Sequence, residues 1–170
     1  MPETSLKTIS ELVTRLANAL LSRKLIMSTA ESCTGGWIAQ SLTALAGSSQ
    51  WFDTGFITYS NASKQRLLQV PAALFQIDAP GAVSEETVRA MVKGALANSR
   101  ANLAVAVSGI AGPDGGSSDK PVGTVWIAWQ WQDKTMARCF RFIGNRDAVR
   151  LATVVAALEG CLLLLGEGTV

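Results

Sequence analysis

"KLIMSTAESCTGGW", residues Lys24 to Trp37, decides the reading of this chain. The run KLIMSTAE has the composition of a short strand, and Gly35-Gly36 then open a helical segment reaching about Ala46, with Gly47 placed as a C-terminal cap. The stretch is a strand-to-helix turn. It presents three candidate nucleophiles, Ser32, Cys33 and Thr34, at a helix start. Free backbone N–H groups there favour an anion or a developing oxyanion, and the glycines let a substrate approach closely. The same residues also suit a plain helix cap by Ser32 or Thr34. No P-loop spacing is present anywhere in the chain.

Upstream, Ile9, Leu12, Val13, Leu16, Ala19 and Leu20 recur at three and four, which predicts an amphipathic helix from Ser5 to Arg23 with Thr8 and Glu11 as a capping box. Downstream, WFDTGFITYS is strand-like, Ser60 is placed to cap a helix through Leu68, and Ser84 to cap another through Ala97. ANLAVAVSGIAGPDGG reads as a buried strand entering a glycine-rich loop. GTVWIAWQWQ and TMARCFRF form a hairpin about Asp133-Lys134, and Asn145 caps a long final helix carrying Val149, Ala152, Val155, Ala156 and Leu163. Helices alternating with short strands imply an α/β fold with helices layered on a sheet that has parallel pairs and one antiparallel hairpin. In such sheets ligands sit beyond the carboxyl ends of strands. Three loops qualify: Glu31–Gly36, Tyr59–Lys64 and Ser108–Gly116.

Composition narrows the chemistry. With 170 residues, 48% hydrophobic and 16% charged, the chain suits one substantial core, so residues 1–170 are read as a single domain. The polar start Met1-Pro2-Glu3-Thr4-Ser5 does not resemble a secretory signal, and no apolar run reaches the roughly 20 residues of a membrane span. Three widely spaced cysteines, Cys33, Cys139 and Cys161, suggest neither a disulfide framework nor a zinc cluster, so a reducing cytoplasm is expected. A net charge of +2 from scattered basic residues gives little footprint for nucleic acid; the expected partner is a small molecule. There is no histidine, which removes the commonest general base and all histidine metal sites. Any nucleophile must be activated by lysine, tyrosine or a carboxylate.

Lys64 fits that need. A lysine in the first turn of its helix opposes the macrodipole, and one that reaches into a cleft has a lowered pKa and can act as a base, with Tyr59 relaying the proton to Ser32. The plainer reading of the pair is a solvated lysine and a half-buried tyrosine. SGIAGPDGGSSDKPVG is a candidate binding loop for phosphate or ribose, or else a mobile surface loop. Arg146 and Arg150 share a face at the head of the last helix, as if awaiting an anion, although Asp147 is placed to neutralise them.

Together TAESCTGGW, GFITYSNASK, GAVSEE, SGIAGPDGG, KPVGTVW and GNRDAVR strongly resemble the CinA C-terminal domain family, the nicotinamide-nucleotide amidases, across nearly the whole chain. Some members carry a further N-terminal pyrophosphatase-like domain; this chain looks like the stand-alone form. The resemblance implies a three-layer α/β/α sandwich with a mixed, largely parallel sheet, often dimeric, and hydrolysis of the carboxamide of nicotinamide mononucleotide to nicotinic acid mononucleotide and ammonia. It implies no metal or other cofactor, and no membrane or nucleic-acid partner. It places the nucleophile on Ser32, the tyrosine and lysine on Tyr59 and Lys64, and a substrate arginine on Arg146.

The expected mechanism is serine amidase chemistry without histidine: Lys64, directly or through Tyr59, deprotonates Ser32, and the N–H groups of Thr34, Gly35 and Gly36 hold the oxyanion. Glu31, Thr34, Gly35, Gly36, Ser108, Gly109, Gly112 and Arg146 are expected to bind substrate. Two rivals stand beside this reading: a nucleotide-binding or regulatory domain that has lost turnover, and an amidase for a related carboxamide.

Overall fold

The computed structural model describes residues 3–167, so Met1 and Pro2 of the polar start lie outside it. In chain order the elements are α1 (Glu3–Ser22), β1 (Met27–Glu31), α2 (Trp37–Thr43), β2 (Phe52–Ile57), α3 (Asn61–Leu68), α4 (Glu85–Ala97), β3 (Leu103–Gly109), β4 (Thr124–Trp131), β5 (Lys134–Arg141) and α5 (Arg146–Leu164), with short 3-10 turns at Ser48–Gln50 and Ala72–Phe75. The strands form one sheet in the order β2-β1-β3-β4-β5. β1 pairs in parallel with β2 and β3, whereas β3–β4 and β4–β5 are antiparallel. The sheet is therefore mixed, parallel in one half and antiparallel in the other.

Side-chain size along β3 explains the layers. Leu103, Val105 and Val107 join the core beneath α1, α2 and α5, while Ala104 and Ala106 join the core beneath α3 and α4. Large residues on one face and alanines on the other let α4 lie close on the sheet. Gly94 continues that close approach, because a Cβ there would collide with the Leu68 carbonyl at the end of α3. Gly94→Ala is accordingly expected to destabilise the fold by about 2 kcal/mol or more, read as a lower urea midpoint at unchanged m-value. An unchanged midpoint would show that α3 and α4 separate freely.

Several helix starts follow their expected caps. Ser60 accepts from Ser63 N–H, Ser84 from Thr87 N–H and Asn145 from Ala148 N–H. Others differ. Thr8 lies inside α1, which starts at Glu3, so the expected capping box is not the helix start. α2 ends at Thr43 with Ala44 as its C-cap, and Gly47, at φ 84°, instead starts the 3-10 turn. The hairpin register pairs Trp131 with Lys134, so the turn is Gln132-Asp133, with Gln132 at φ 55°, the left-handed conformation that tight hairpin turns require. No described helix is long and apolar enough to cross a membrane.

Candidate active site

The parallel half of the sheet brings the first two loops together. Ser32 follows β1 directly, and its N–H donates to the Val107 carbonyl of β3, fixing the turn on the sheet. Lys64 projects from α3 and is 1% exposed, while Ser32 is 8% exposed. The lysine Nζ lies 3.0 Å from Ser32 Oγ and 2.7 Å from the Thr58 carbonyl oxygen. Burial holds the Lys64 pKa down, at about 8, so a minor neutral fraction, about a tenth, exists at pH 7. No carboxylate pairs with Lys64 among the described residues to reverse that effect. A buried amine of lowered pKa in hydrogen-bond contact with a serine hydroxyl is an arrangement that can activate a serine without histidine.

Cys33, the rival nucleophile, packs in the core and is 6% exposed; burial pushes its thiol up to about 12. It remains protonated where Lys64 begins to lose its proton. Tyr59 is not between Lys64 Nζ and Ser32 Oγ, which touch directly. Its ring is 62% exposed and its hydroxyl accepts from Arg146 Nη2 at 3.0 Å. The direct contact of Lys64 with Ser32 leaves no gap for the expected relay.

Glu31 differs most from its expected role. Buried at 1% exposure, its carboxylate accepts from the Thr34 hydroxyl at 2.6 Å and from the N–H groups of Gly36, Ile38 and Ala39 at 3.1, 3.0 and 2.8 Å. Thr29 Oγ1 adds a fifth donor at 3.3 Å. The carboxylate thus satisfies the N–H groups of Gly36, Ile38 and Ala39 at the start of α2, work that the side chains of Ser32 and Thr34 do not perform, while the Trp37 N–H donates to the Thr34 carbonyl. Gly36 itself sits at φ 97° and offers no side chain to cap the helix. The Glu31 carboxylate and the Thr34 hydroxyl are engaged with each other, and the carboxylate with the helix start. Gly35 N–H is also committed, to the Ser32 carbonyl, so the expected oxyanion donors at Gly35 and Gly36 are occupied.

The glycine-rich segment is likewise accounted for by internal contacts. Ser108 is 1% exposed and its hydroxyl donates to the Ala82 carbonyl. A Cβ on Gly109 would crowd Val125 and the Thr124 carbonyl of β4. Gly112 supplies a carbonyl that accepts from Arg146 Nη1 at 2.7 Å, so it positions the arginine. Arg146, exposed at the first position of α5, therefore bridges the third loop and Tyr59 across the carboxyl end of the sheet. These two bonds engage only two of its five N–H donors.

Two contributors lie outside the expected site residues. The Thr58 carbonyl that holds Lys64 is a backbone atom. Arg150 donates to the Thr34 carbonyl at 2.9 Å, stacks over Trp37 with 5.3 Å to the ring centroid, and lies 3.8 Å from Asp147. It ties α5 to the Ser32–Gly36 turn, and its sequence signal was the face it shares with Arg146. An open cleft of about 460 Å³ borders this turn, lined by Thr34, Gly35, Gly36, Trp37 and Arg150 among others. A recess of about 280 Å³ lies against Trp129, Phe140 and Arg138 and includes none of the three loops.

Comparison with known proteins agrees with this architecture. The chain is 55% identical over 157 residues to nicotinamide-nucleotide amidohydrolase PncC of Pseudomonas putida, covering 92% of this chain and 96% of that protein. It is 47% identical to the protein of that name from Escherichia coli K12, covering 94% of each. The crystal structure of competence/damage inducible protein CihA from Agrobacterium tumefaciens superposes with a TM-score of 0.89 at 46% identity, covering 94% of this chain and 96% of that one. The family model of the CinA C-terminal domain matches residues 9–165, and the chain belongs to that family.

Proposed function

We propose that this protein hydrolyses the carboxamide of nicotinamide mononucleotide to nicotinic acid mononucleotide and ammonia, with Ser32 as nucleophile. The observation that carries the chemistry is the buried Lys64 Nζ 3.0 Å from Ser32 Oγ. The substrate is inferred from the relatives named nicotinamide-nucleotide amidohydrolase, which align with nearly the full length of this chain.

Neutral Lys64 accepts the Ser32 proton as Oγ bonds to the carboxamide carbon, giving a tetrahedral oxyanion. With the N–H groups of Gly35 and Gly36 engaged internally, those of Cys33 and Thr34 are the turn donors assigned to the oxyanion. The C–N bond breaks as Lys64 returns the proton to the leaving nitrogen, releasing ammonia and leaving an ester on Ser32. Water then attacks that ester, Lys64 takes its proton and gives it back to Ser32 Oγ, and the acid departs. The Thr58 carbonyl, accepting one N–H throughout, keeps the amine aimed at Oγ. Arg146, with donors to spare, holds the phosphate, and Tyr59 braces that guanidinium.

Incubating the purified protein with nicotinamide mononucleotide, nicotinamide and nicotinamide riboside, and measuring ammonia, tests the reading. The mononucleotide is expected to be the good substrate. Absence of ammonia from it would overturn the proposal. Arg146→Ala is expected to raise KM for the mononucleotide by about 10- to 100-fold, the loss of one charge-assisted phosphate contact. Equal kcat/KM on riboside and mononucleotide would remove the phosphate from Arg146.

A further inference from the structure

We infer that Glu31 is a positioning residue for the nucleophile, acting through the shape of the turn rather than on the substrate. The inference rests on the reading of Ser32 as nucleophile and adds what keeps that serine in attack geometry. A seven-residue helix needs only a small polar side chain at its cap position. Here that position is Gly36, and the acceptor comes instead from the residue immediately before the nucleophile. Burying a carboxylate is costly unless all its acceptor sites are used. Glu31 meets that condition with three backbone N–H groups and two hydroxyls.

The consequence is geometric. Backbone and carboxylate together close residues 31–36 into a ring, with Ser32, Cys33 and Thr34 on the intervening arc. Gly35 and Gly36, both at positive φ, would otherwise leave this arc free to rotate. The ring sets Oγ against Lys64 and orients the Cys33 and Thr34 N–H groups. Both carboxylate oxygens are in use: Oε1 takes Ala39 and Thr29, and Oε2 takes Thr34, Gly36 and Ile38. Glutamine keeps the size but must turn an NH2 group toward one of these donor sets, which forces the turn to shift.

The test compares wild type, Glu31→Gln and Thr34→Val on nicotinamide mononucleotide, well below the melting temperature, with folding checked by circular dichroism. Glu31→Gln is expected to lower kcat by about 100-fold, the scale of a misplacement near 1 Å, while KM stays within about threefold. Thr34→Val, which removes the 2.6 Å donor but keeps the side-chain volume, is expected to lower kcat by about tenfold. The rate at which a fluorophosphonate modifies Ser32 should fall in parallel, since that reaction requires no nucleotide binding. A kcat within twofold of wild type in either folded variant would overturn the inference, and so would a rise in KM matching the fall in kcat/KM, the signature of direct substrate binding. If Glu31→Gln does not fold, Thr34→Val decides alone. A wild type without activity would instead defeat the functional proposal itself, leaving the two failures distinct.

Discussion

Ser32→Ala is expected to lower kcat by at least about 10⁴-fold while leaving affinity for the mononucleotide nearly unchanged. The reason is local. In the proposed mechanism the hydroxyl is the only part of the residue that reacts, and the turn is held by the Ser32 backbone, through its N–H to Val107 and its carbonyl to Gly35. Alanine removes neither bond. Cys33→Ala should keep most of the activity, since that thiol is a buried core group held protonated by burial. Isothermal titration of Ser32→Ala with the mononucleotide separates binding from chemistry. A variant that still turns over, or a wild type inactivated by iodoacetamide at Cys33 with protection by substrate, would transfer the reaction to the thiol.

Lys64→Arg should be almost as damaging, about 10³-fold or more in kcat, despite the retained charge. Guanidinium cannot release its proton in this pH range, and its planar fork does not fit a site built for a single amine between Ser32 Oγ and the Thr58 carbonyl. The wild-type pH profile follows from the same group. The base is active when neutral, and burial lowers its pKa to about 8, so kcat/KM should rise about tenfold per pH unit below that value and level off above it. An unperturbed lysine would place the limb near its ordinary 10.5. A flat profile between pH 6 and 9, or a brisk Lys64→Arg enzyme, would reduce Lys64 to a fixed charge.

The sequence disclosed the frame more readily than the site. Serine and asparagine at positions 60, 84 and 145 announce their helices because each side chain caps the backbone three residues on. β3 was legible as an unbroken apolar run, although its two faces, valine and leucine against alanine, acquire meaning only once helices lie on both sides. The hairpin was misplaced by one residue because Lys134 looks like a turn residue and β5 is an edge strand whose exposed positions tolerate it.

Within the site, Lys64 betrayed itself by occupying the wrong end of a helix, whereas its true partner set includes a backbone carbonyl that no side chain reports. Glu31 was expected to bind substrate, and the structure engages its carboxylate at the start of α2. The available signal was the glycine at the cap position of α2, which obliges some other residue to satisfy the helix start. Tyr59 was read as a relay from its place at a strand end, but it lies beyond β2 and its hydroxyl meets Arg146, while Lys64 contacts Ser32 directly.

The central claim, a serine made nucleophilic by a buried lysine at the substrate's binding place, is tested most directly by covalent labelling. The protein is treated with a fluorophosphonate, with and without saturating nicotinamide mononucleotide, then digested and its peptides weighed. The account predicts one equivalent of label on Ser32, loss of amidase activity in proportion, protection by the mononucleotide, and no label in Lys64→Arg over the same time. Label confined to another residue, or an enzyme that remains fully active with Ser32 modified, would contradict it.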